Sequence, residues 1–297
     1  VNLRSVCGCT GIQAALSAML VTRLLPMNKK ISPFRVNEPT VISFSGGRTS
    51  AFMLWNVLQE NGGNLPDEAI VCFANTGKED EATLRFVDNC SKNWGIPIVW
   101  LEFRDNEKKF EIVDFESASR NGEPFEQLIL KKNYLPNPFA RFCTEELKIV
   151  PIDRYLKSIG INEYVTFVGI RADEPSRVAK MKTNKDIKET PLASAGIGVQ
   201  DVLQFWSKQP FDLQTITVSG NSLLSNCDLC FLKKANHTLS LIKDKPQRAI
   251  WWASMEQKIG ATFNPGHPTY AQMIQYSKDQ HDMFDPNEET IACFCGD

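Results

Sequence analysis

At 297 residues, 42% hydrophobic and 23% charged, the sequence is long and apolar enough for one large globular domain or two small ones, which excludes a disordered chain. A formal net charge of −2 sets up no global field toward nucleic acid or an anionic membrane, and leaves nucleic-acid binding open only through local patches such as Lys131-Lys132 and Lys233-Lys234. Nine cysteines, odd in number and several closely spaced, fit thiol or metal chemistry in a reducing cytoplasm better than a secreted disulfide framework.

The first segment, 1–38, reads as a leader. Its apolar stretch from Gly11 to Leu25 is interrupted by Gln13 and Arg23, is too short to span a bilayer and is followed by no small-x-small cleavage site. Val1 to Pro26 is expected to be poorly structured, or upstream sequence translated in frame with Met27 as the start, and Cys7 and Cys9 are set aside as ligands.

From Thr40 the pattern becomes regular. Val41-Ile42-Ser43-Phe44 predicts a strand, Ser-Gly-Gly a tight loop, and Phe52, Met53, Val57 and Leu58 an amphipathic helix. A second unit follows: the buried strand 69–74, the exit turn Asn75-Thr76-Gly77, and a helix from Asp80 to Trp94. A third strand covers Ile98 to Phe103. Asn106 to Ala140, punctuated by Pro124, Pro136 and Pro138, breaks the rhythm like an insertion, before a helix (Thr144 to Ile159) and a strand (Tyr164 to Val168) resume it. Beyond Ala179 a polar loop is expected to run to Lys188, with a helix from Val199 to Trp206, a cysteine-bearing loop around Cys227 and Cys230, and a helical remainder packed over the sheet.

Strands and helices alternating at this spacing predict an α/β fold, a Rossmann-like parallel β-sheet with helices on both faces. The expected boundaries are a nucleotide-binding domain over 39–235 and a helical C-terminal extension with a cysteine tail over 236–297.

The segment Ser43-Phe44-Ser45-Gly46-Gly47-Arg48-Thr49-Ser50 carries the clearest chemistry. A sharp turn from strand into helix supplies convergent backbone N–H donors and the positive end of a helix dipole, and the glycines let a phosphate approach. Ser45, Thr49 and Ser50 add hydroxyls and Arg48 adds charge. The spacing is neither G-x-x-x-x-G-K-[ST] nor G-x-G-x-x-G, which removes a Walker NTPase and a dinucleotide-binding dehydrogenase from consideration.

Ser-Gly-Gly-x-x-Ser after a first strand is similar to the PP-loop of the adenine nucleotide alpha hydrolase superfamily, and further motifs resemble its phosphoadenosine phosphosulfate reductase branch. These are Asn75-Thr76-Gly77, similar to an Asp-Thr-Gly turn; Cys143 with Lys148 and Pro151 on one helix; Gly169-Ile-Arg171 through Arg177, similar to an arginine-rich substrate loop; Thr190-Pro191-Leu192; and Cys227-Asp-Leu-Cys230. The resemblance runs from about residue 40 to 235. It implies that Gly169, Arg171 and Arg177 bind substrate oxygens alongside the loop, with Arg171 also catalytic, which suits guanidinium chemistry. Salt bridges to Asp173 or Glu174 are the plain alternative for both arginines.

Cys227 and Cys230 have a spacing at which two thiolates hold one metal centre. The resemblance adds Cys143 as a third ligand and implies a 4Fe-4S cluster, with zinc as the alternative. Phe142 stands where some relatives have a second adjacent cysteine, so a fourth ligand falls to Cys293 or Cys295 if the tail folds back. Sulfonucleotide reductases also use a C-terminal cysteine nucleophile, which Cys295-Gly296 echoes, although Phe294 replaces the acid and the following His is absent. Cys72 and Cys90 read as core. His237, His267 and His281 match no metal-ligand spacing and read as solvated or structural.

Two reactions follow from the resemblance. One is cleavage of the alpha-beta bond of ATP in adenylation or sulfur chemistry, with Mg as accessory ion. The other is thiol-dependent reduction of phosphoadenosine phosphosulfate or adenylyl sulfate, with a thioredoxin-like or sulfur-donor protein as partner. A non-catalytic nucleotide-binding module is the third alternative. No membrane association is implied, and oligomeric state is not specified.

Overall fold

The strands are apolar on both faces, and the period of two sends their side chains into two different cores. The computed structural model describes residues 32–182, 188–215, 217–218, 221–224 and 226–279; residues 1–31 of the expected leader, Cys293 and Cys295 lie outside them, whereas Phe34 and Val36 at the end of that expected leader are buried in the first core. In β1 (Thr40–Ser43), β2 (Ala69–Asn75) and β3 (Val99–Glu102), Ile42, Val71, Phe73 and Trp100 face one side. There they meet Met53, Leu54 and Val57 of α1 (Arg48–Glu60), Leu84, Phe86 and Val87 of α2 (Glu81–Trp94), and Trp206. The alternate residues Val41, Cys72 and Leu101 meet Phe110 and Leu156 on the other side.

The sheet has six strands in the order β4-β3-β2-β1-β5-β6, with β4 (Glu111–Val113), β5 (Val165–Val168) and β6 (Lys188–Glu189) completing it. All pairings are parallel except that of β4 with β3, an antiparallel edge. The fold is therefore α/β and Rossmann-like, with helices on both faces. The chain steps from β1 outward through β2 to β3 and returns to β5 on the far side of β1. This makes the carboxyl ends of β1 and β5 a topological switch point, where open α/β sheets collect ligands.

Local signals account for most element ends. Asp80 caps α2 by accepting from Ala82 N at 3.0 Å, and Gly95 ends it in the left-handed region. Between α4 (Phe142–Thr144) and α5 (Val150–Ser158) the helix widens to a π turn over Glu145–Ile149. Pro151 explains the widening: it has no N–H to give Leu147 O, and its ring would press on that carbonyl in a regular helix.

The structure departs from the expected pattern in two places. The stretch after Ala179 is still helical, because α6 spans Pro175–Lys182. The segment 106–140 holds β4 and α3 (Glu123–Lys132), and it helps to build a core of its own. Phe125, Leu128 and Ile129 of α3 pack with Leu147, Leu229, Trp252 and Tyr270. That second core brings together α3, the π turn, the Cys227–Cys230 loop and the helices α9 (Ala235–Asp244), α10 (Gln247–Ile259) and α11 (Tyr270–Asp279). α7 (Pro191–Ser194) and α8 (Val199–Trp206) add Leu192, Val202 and Trp206 to the first core, and the hairpin of β7 (Thr217–Val218) and β8 (Asn221–Ser222) follows them in the chain. Among the described residues no helix is long and apolar enough to cross a membrane.

Candidate nucleotide and thiol sites

The loop leaving β1 is held in shape by its own residues. Ser45 N donates to Ser50 Oγ at 3.2 Å, the Ser45 and Ser50 hydroxyls meet at 3.0 Å, and Ser50 Oγ donates to Gly47 O at 3.0 Å. Because the Ser50 proton is used on Gly47, the Ser45 hydroxyl donates to Ser50. Phe44 is core, so it contributes to the site only through its backbone. Gly46, with φ of +78°, backs onto α2, where a Cβ would stand 2.6 Å from Thr83 Cγ2.

The loop leaving β5 comes against this one. A Cβ on Gly169 would lie 2.9 Å from Ser50 Cα and 3.1 Å from Ser50 N, so only glycine permits the approach. Arg171, 8% exposed, donates through Nη1 to Thr49 Oγ1 at 3.2 Å and through Nε to Asp173 at 2.9 Å. Arg177, 5% exposed, pairs through Nη1 with Glu174, while its Nε and Nη2 are buried with no hydrogen-bond partner. The salt bridges expected as the plain alternative do form, from the two buried arginines to the exposed Asp173 and the half-buried Glu174. Two orphaned guanidinium nitrogens leave donor capacity that an anion could take up.

Arg48 is engaged elsewhere. Its Nε and Nη2 donate to the two carboxylate oxygens of Asp212, each at 2.7 Å, and Nη2 also reaches Leu213 O at 2.9 Å.

The turn after β2 is equally preformed. Asn75 Nδ2 donates to Glu102 Oε1 at 2.6 Å and to Ser119 O at 2.8 Å, and its Oδ1 accepts from Gly77 N at 3.1 Å. Glu102, fully buried at the end of β3, is further held by Ser119 Oγ and by Arg104. An amide at position 75 suits this neighbour, since a carboxylate there would face a second carboxylate. Thr76 N and Oγ1 both donate to Glu79 Oε2 at 2.8 Å; the other Glu79 oxygen has no hydrogen-bond partner and lies 3.9 Å from Lys148 Nζ.

This turn is joined directly to the cysteine loop. Glu79 and Cys227 form a β-bridge, Asp228 N donates to Lys78 O at 2.6 Å, and Thr76 Oγ1 is 3.5 Å from Cys227 Sγ. Lys78 and Asp228 make a buried ion pair at 3.2 Å, covered by the Trp251 ring, and Trp252 Nε1 donates to Asp228. Cys143, Cys227 and Cys230 all line one cavity of about 20 Å³, together with Thr76, Lys148 and Asn226. Burial, and then the neighbouring Glu79 carboxylate, push the Cys227 thiol far above its usual range. Among the described residues no three His, Cys, Asp or Glu side chains stand close enough to hold a metal ion. The thiol chemistry fits a soft metal centre; the void, roomy enough for about one water, would have to widen to admit a cluster. Cys72 and Cys90 are core thiols as expected, and His237 is buried.

Sequence reasoning had no signal for Glu102, Asp228 or Asp212, each an acid whose partner is remote in the chain. Glu79 was within reach, three residues after Thr76 in the manner of a capping pair.

The Phosphoadenosine phosphosulfate reductase domain family matches residues 39–194, which covers β1 through α7 and every loop of the crevice just described. The chain belongs to this family, within the adenine nucleotide alpha hydrolase superfamily. An uncharacterized nin region protein of Escherichia phage lambda is 32% identical over 245 residues, 80% of each chain. An uncharacterized protein of Methanocaldococcus jannaschii is 26% identical over 153 residues, 51% of this chain and 27% of that protein. An uncharacterized 37.8 kDa protein of Escherichia phage 186 is 22% identical over 277 residues, 80% of each chain. The phosphoadenosine phosphosulfate reductase family thus accounts for the nucleotide crevice, while the second core lies largely beyond the matched segment.

Proposed function

We propose that the protein is an adenine-nucleotide enzyme that cleaves the alpha-beta bond of ATP. One observation carries this: the Ser45–Ser50 loop, closed by its own hydroxyls, sits at the β1/β5 switch point with Arg171 bonded to Thr49. An acceptor nucleophile attacks the alpha-phosphorus, the bond to the bridging oxygen breaks, and pyrophosphate leaves with the electron pair. The loop N–H groups and Arg171 stabilise the charge growing on the leaving group, work that fixed dipoles perform without reorganising. Mg would serve as accessory counter-ion, the acceptor chemistry is adenylation or sulfur transfer, and the reducing cytoplasm is the setting. Exchange of labelled pyrophosphate into ATP tests this; its absence, with ATP bound, overturns the cleavage.

The family match favours a second reaction, reduction of phosphoadenosine phosphosulfate or adenylyl sulfate by a thiol; Cys295 would be its nucleophile and a thioredoxin-like or sulfur-donor protein its partner. Sulfite release from either sulfonucleotide distinguishes it. Cys143, Cys227 and Cys230, with Cys293, would hold a 4Fe-4S cluster, or zinc in its place. A cluster would supply electron transfer or sulfur-binding capacity beside the nucleotide turn. Protein purified without oxygen should be brown, with iron and sulfide in near-equal amounts, and lose colour on Cys227→Ala or Cys230→Ala. Colourless protein with stoichiometric zinc sinks the cluster.

A further inference from the structure

The phosphate loop is gripped from both flanks. On one side stand Gly169 and Arg171. On the other, the last residue of α8 and the segment that follows it hold Arg48, the first residue of α1, at three points. Trp206 Nε1 donates to the Arg48 carbonyl at 2.9 Å, Asp212 takes Nε and Nη2 at 2.7 Å each, and Leu213 O takes Nη2 at 2.9 Å. The guanidinium is largely sheltered, with its side chain 17% exposed, and its charge is already matched by a bidentate carboxylate. Trp206 is itself anchored in the first core against Phe86 and Phe211, so the clamp is tied to rigid packing rather than to a loose strand of chain.

We propose that Asp212 is a positioning residue for nucleotide binding, acting through Arg48. It fixes the start of α1 so that the N–H groups after Gly46 converge before any nucleotide arrives, and it withdraws Arg48 from phosphate contact. Phosphate charge is then met by the loop amides and Arg171. This rests on the nucleotide-binding function proposed above. Preorganisation of this kind raises affinity because the ordering cost is met on folding rather than on binding.

A double-mutant cycle on the full chain tests it, with ATP and phosphoadenosine phosphosulfate as calorimetric probes for Arg48→Ala, Asp212→Ala, the double variant and Asp212→Glu. Each single alanine variant should raise the dissociation constant about tenfold. The double variant should be no weaker than either single one, and Asp212→Glu should recover most of the affinity at an unchanged melting temperature. If Asp212→Ala does not fold, Asp212→Asn, which keeps the size and one acceptor, carries the same comparison. Tighter or unchanged binding by the Asp212 variant, or additive losses in the cycle, overturns the positioning role alone, because Arg48 would then be a phosphate ligand that Asp212 restrains. Wild-type protein that binds neither nucleotide overturns the nucleotide function and this inference together.

Discussion

The crevice at β1 and β5 and the thiol cavity stand one turn apart, yet they are built on opposite plans. The crevice is polar and braced from within: Ser45 and Ser50 hold the first loop, Arg171 bonds Thr49 across the two loops, and Asn75 holds its own turn. The cavity is apolar, its Cys227 thiol is held neutral by burial, and Cys143, Cys227 and Cys230 converge without reaching metal-binding closeness. A site whose hydrogen bonds close on themselves can fold empty. Buried thiols take a metal only when they are deprotonated and drawn together, so on the proposed metal reading affinity should depend steeply on pH.

Of the links between the two regions, the Lys78–Asp228 pair is the charged one, and removing it should give the largest effect. Asp228→Ala leaves a buried ammonium unmatched and frees the Trp252 indole, at a cost of about 3–5 kcal/mol of stability. Lys78→Met combined with Asp228→Leu should return most of it in chemical denaturation. If the single and double variants are equally unstable, the ion pair is not what welds turn to loop.

Arg171 tests the crevice alone. Arg171→Ala removes a charged donor from the phosphate field and should cost about 1.5–3 kcal/mol of binding, a factor of roughly 10 to 150 in Kd for ATP. Lysine should not rescue it, since the fork that spans Thr49 and Asp173 is lost. The thiol cavity should be unaffected, so iron or zinc content that falls with Arg171→Ala would show the two regions to be less separate than their construction indicates.

How much of this was legible in the sequence follows from the range of each interaction. The phosphate loop, the Asn75–Gly77 turn and the helix at Val199–Trp206 are short-range patterns of period and punctuation, and the structure places them as expected. Arg48 was given to the phosphate because its partner Asp212 lies 164 residues away, beyond any local pattern. The segment 106–140 looked like an insertion because β4 is three residues long and α3 buries its apolar face against helices some hundred residues later. The arginines follow β5 as the sequence placed them, but their burial was not legible there, and neither was the way Asp173 and Glu174, two and three residues away, hold them.

Asn75 offers a subtler probe, set by the Glu102 carboxylate beside it. Asn75→Asp would place two carboxylates at 2.6 Å in a fully buried setting, so one must hold a proton, its pKa raised above the unfolded value. The sign follows: a raised folded pKa means that the folded state binds more protons, so the variant is least stable at neutral pH and regains stability as pH falls toward about 4. The deficit at neutral pH should be about 1–3 kcal/mol, read as the difference in melting temperature between variant and wild type across the pH range. A pH-independent difference would mean that the two side chains do not share a proton in the variant.

The smallest effect, and the one that bears most directly on the thiol cavity, is chemical access. Cys72 is pushed up to about 12 by burial and Cys227 higher still, so neither carries appreciable thiolate at pH 8. Cys143 is only half-buried. Among the described cysteines, brief treatment of metal-free protein with iodoacetamide should therefore label Cys143 first, by mass spectrometry, with Cys72, Cys90 and Cys227 modified only after denaturation. Metal loading should then protect Cys143 while leaving the core thiols as they were. Equal labelling of Cys143 with and without metal would remove it from the ligand set and leave the cavity as ordinary core beside a finished nucleotide crevice.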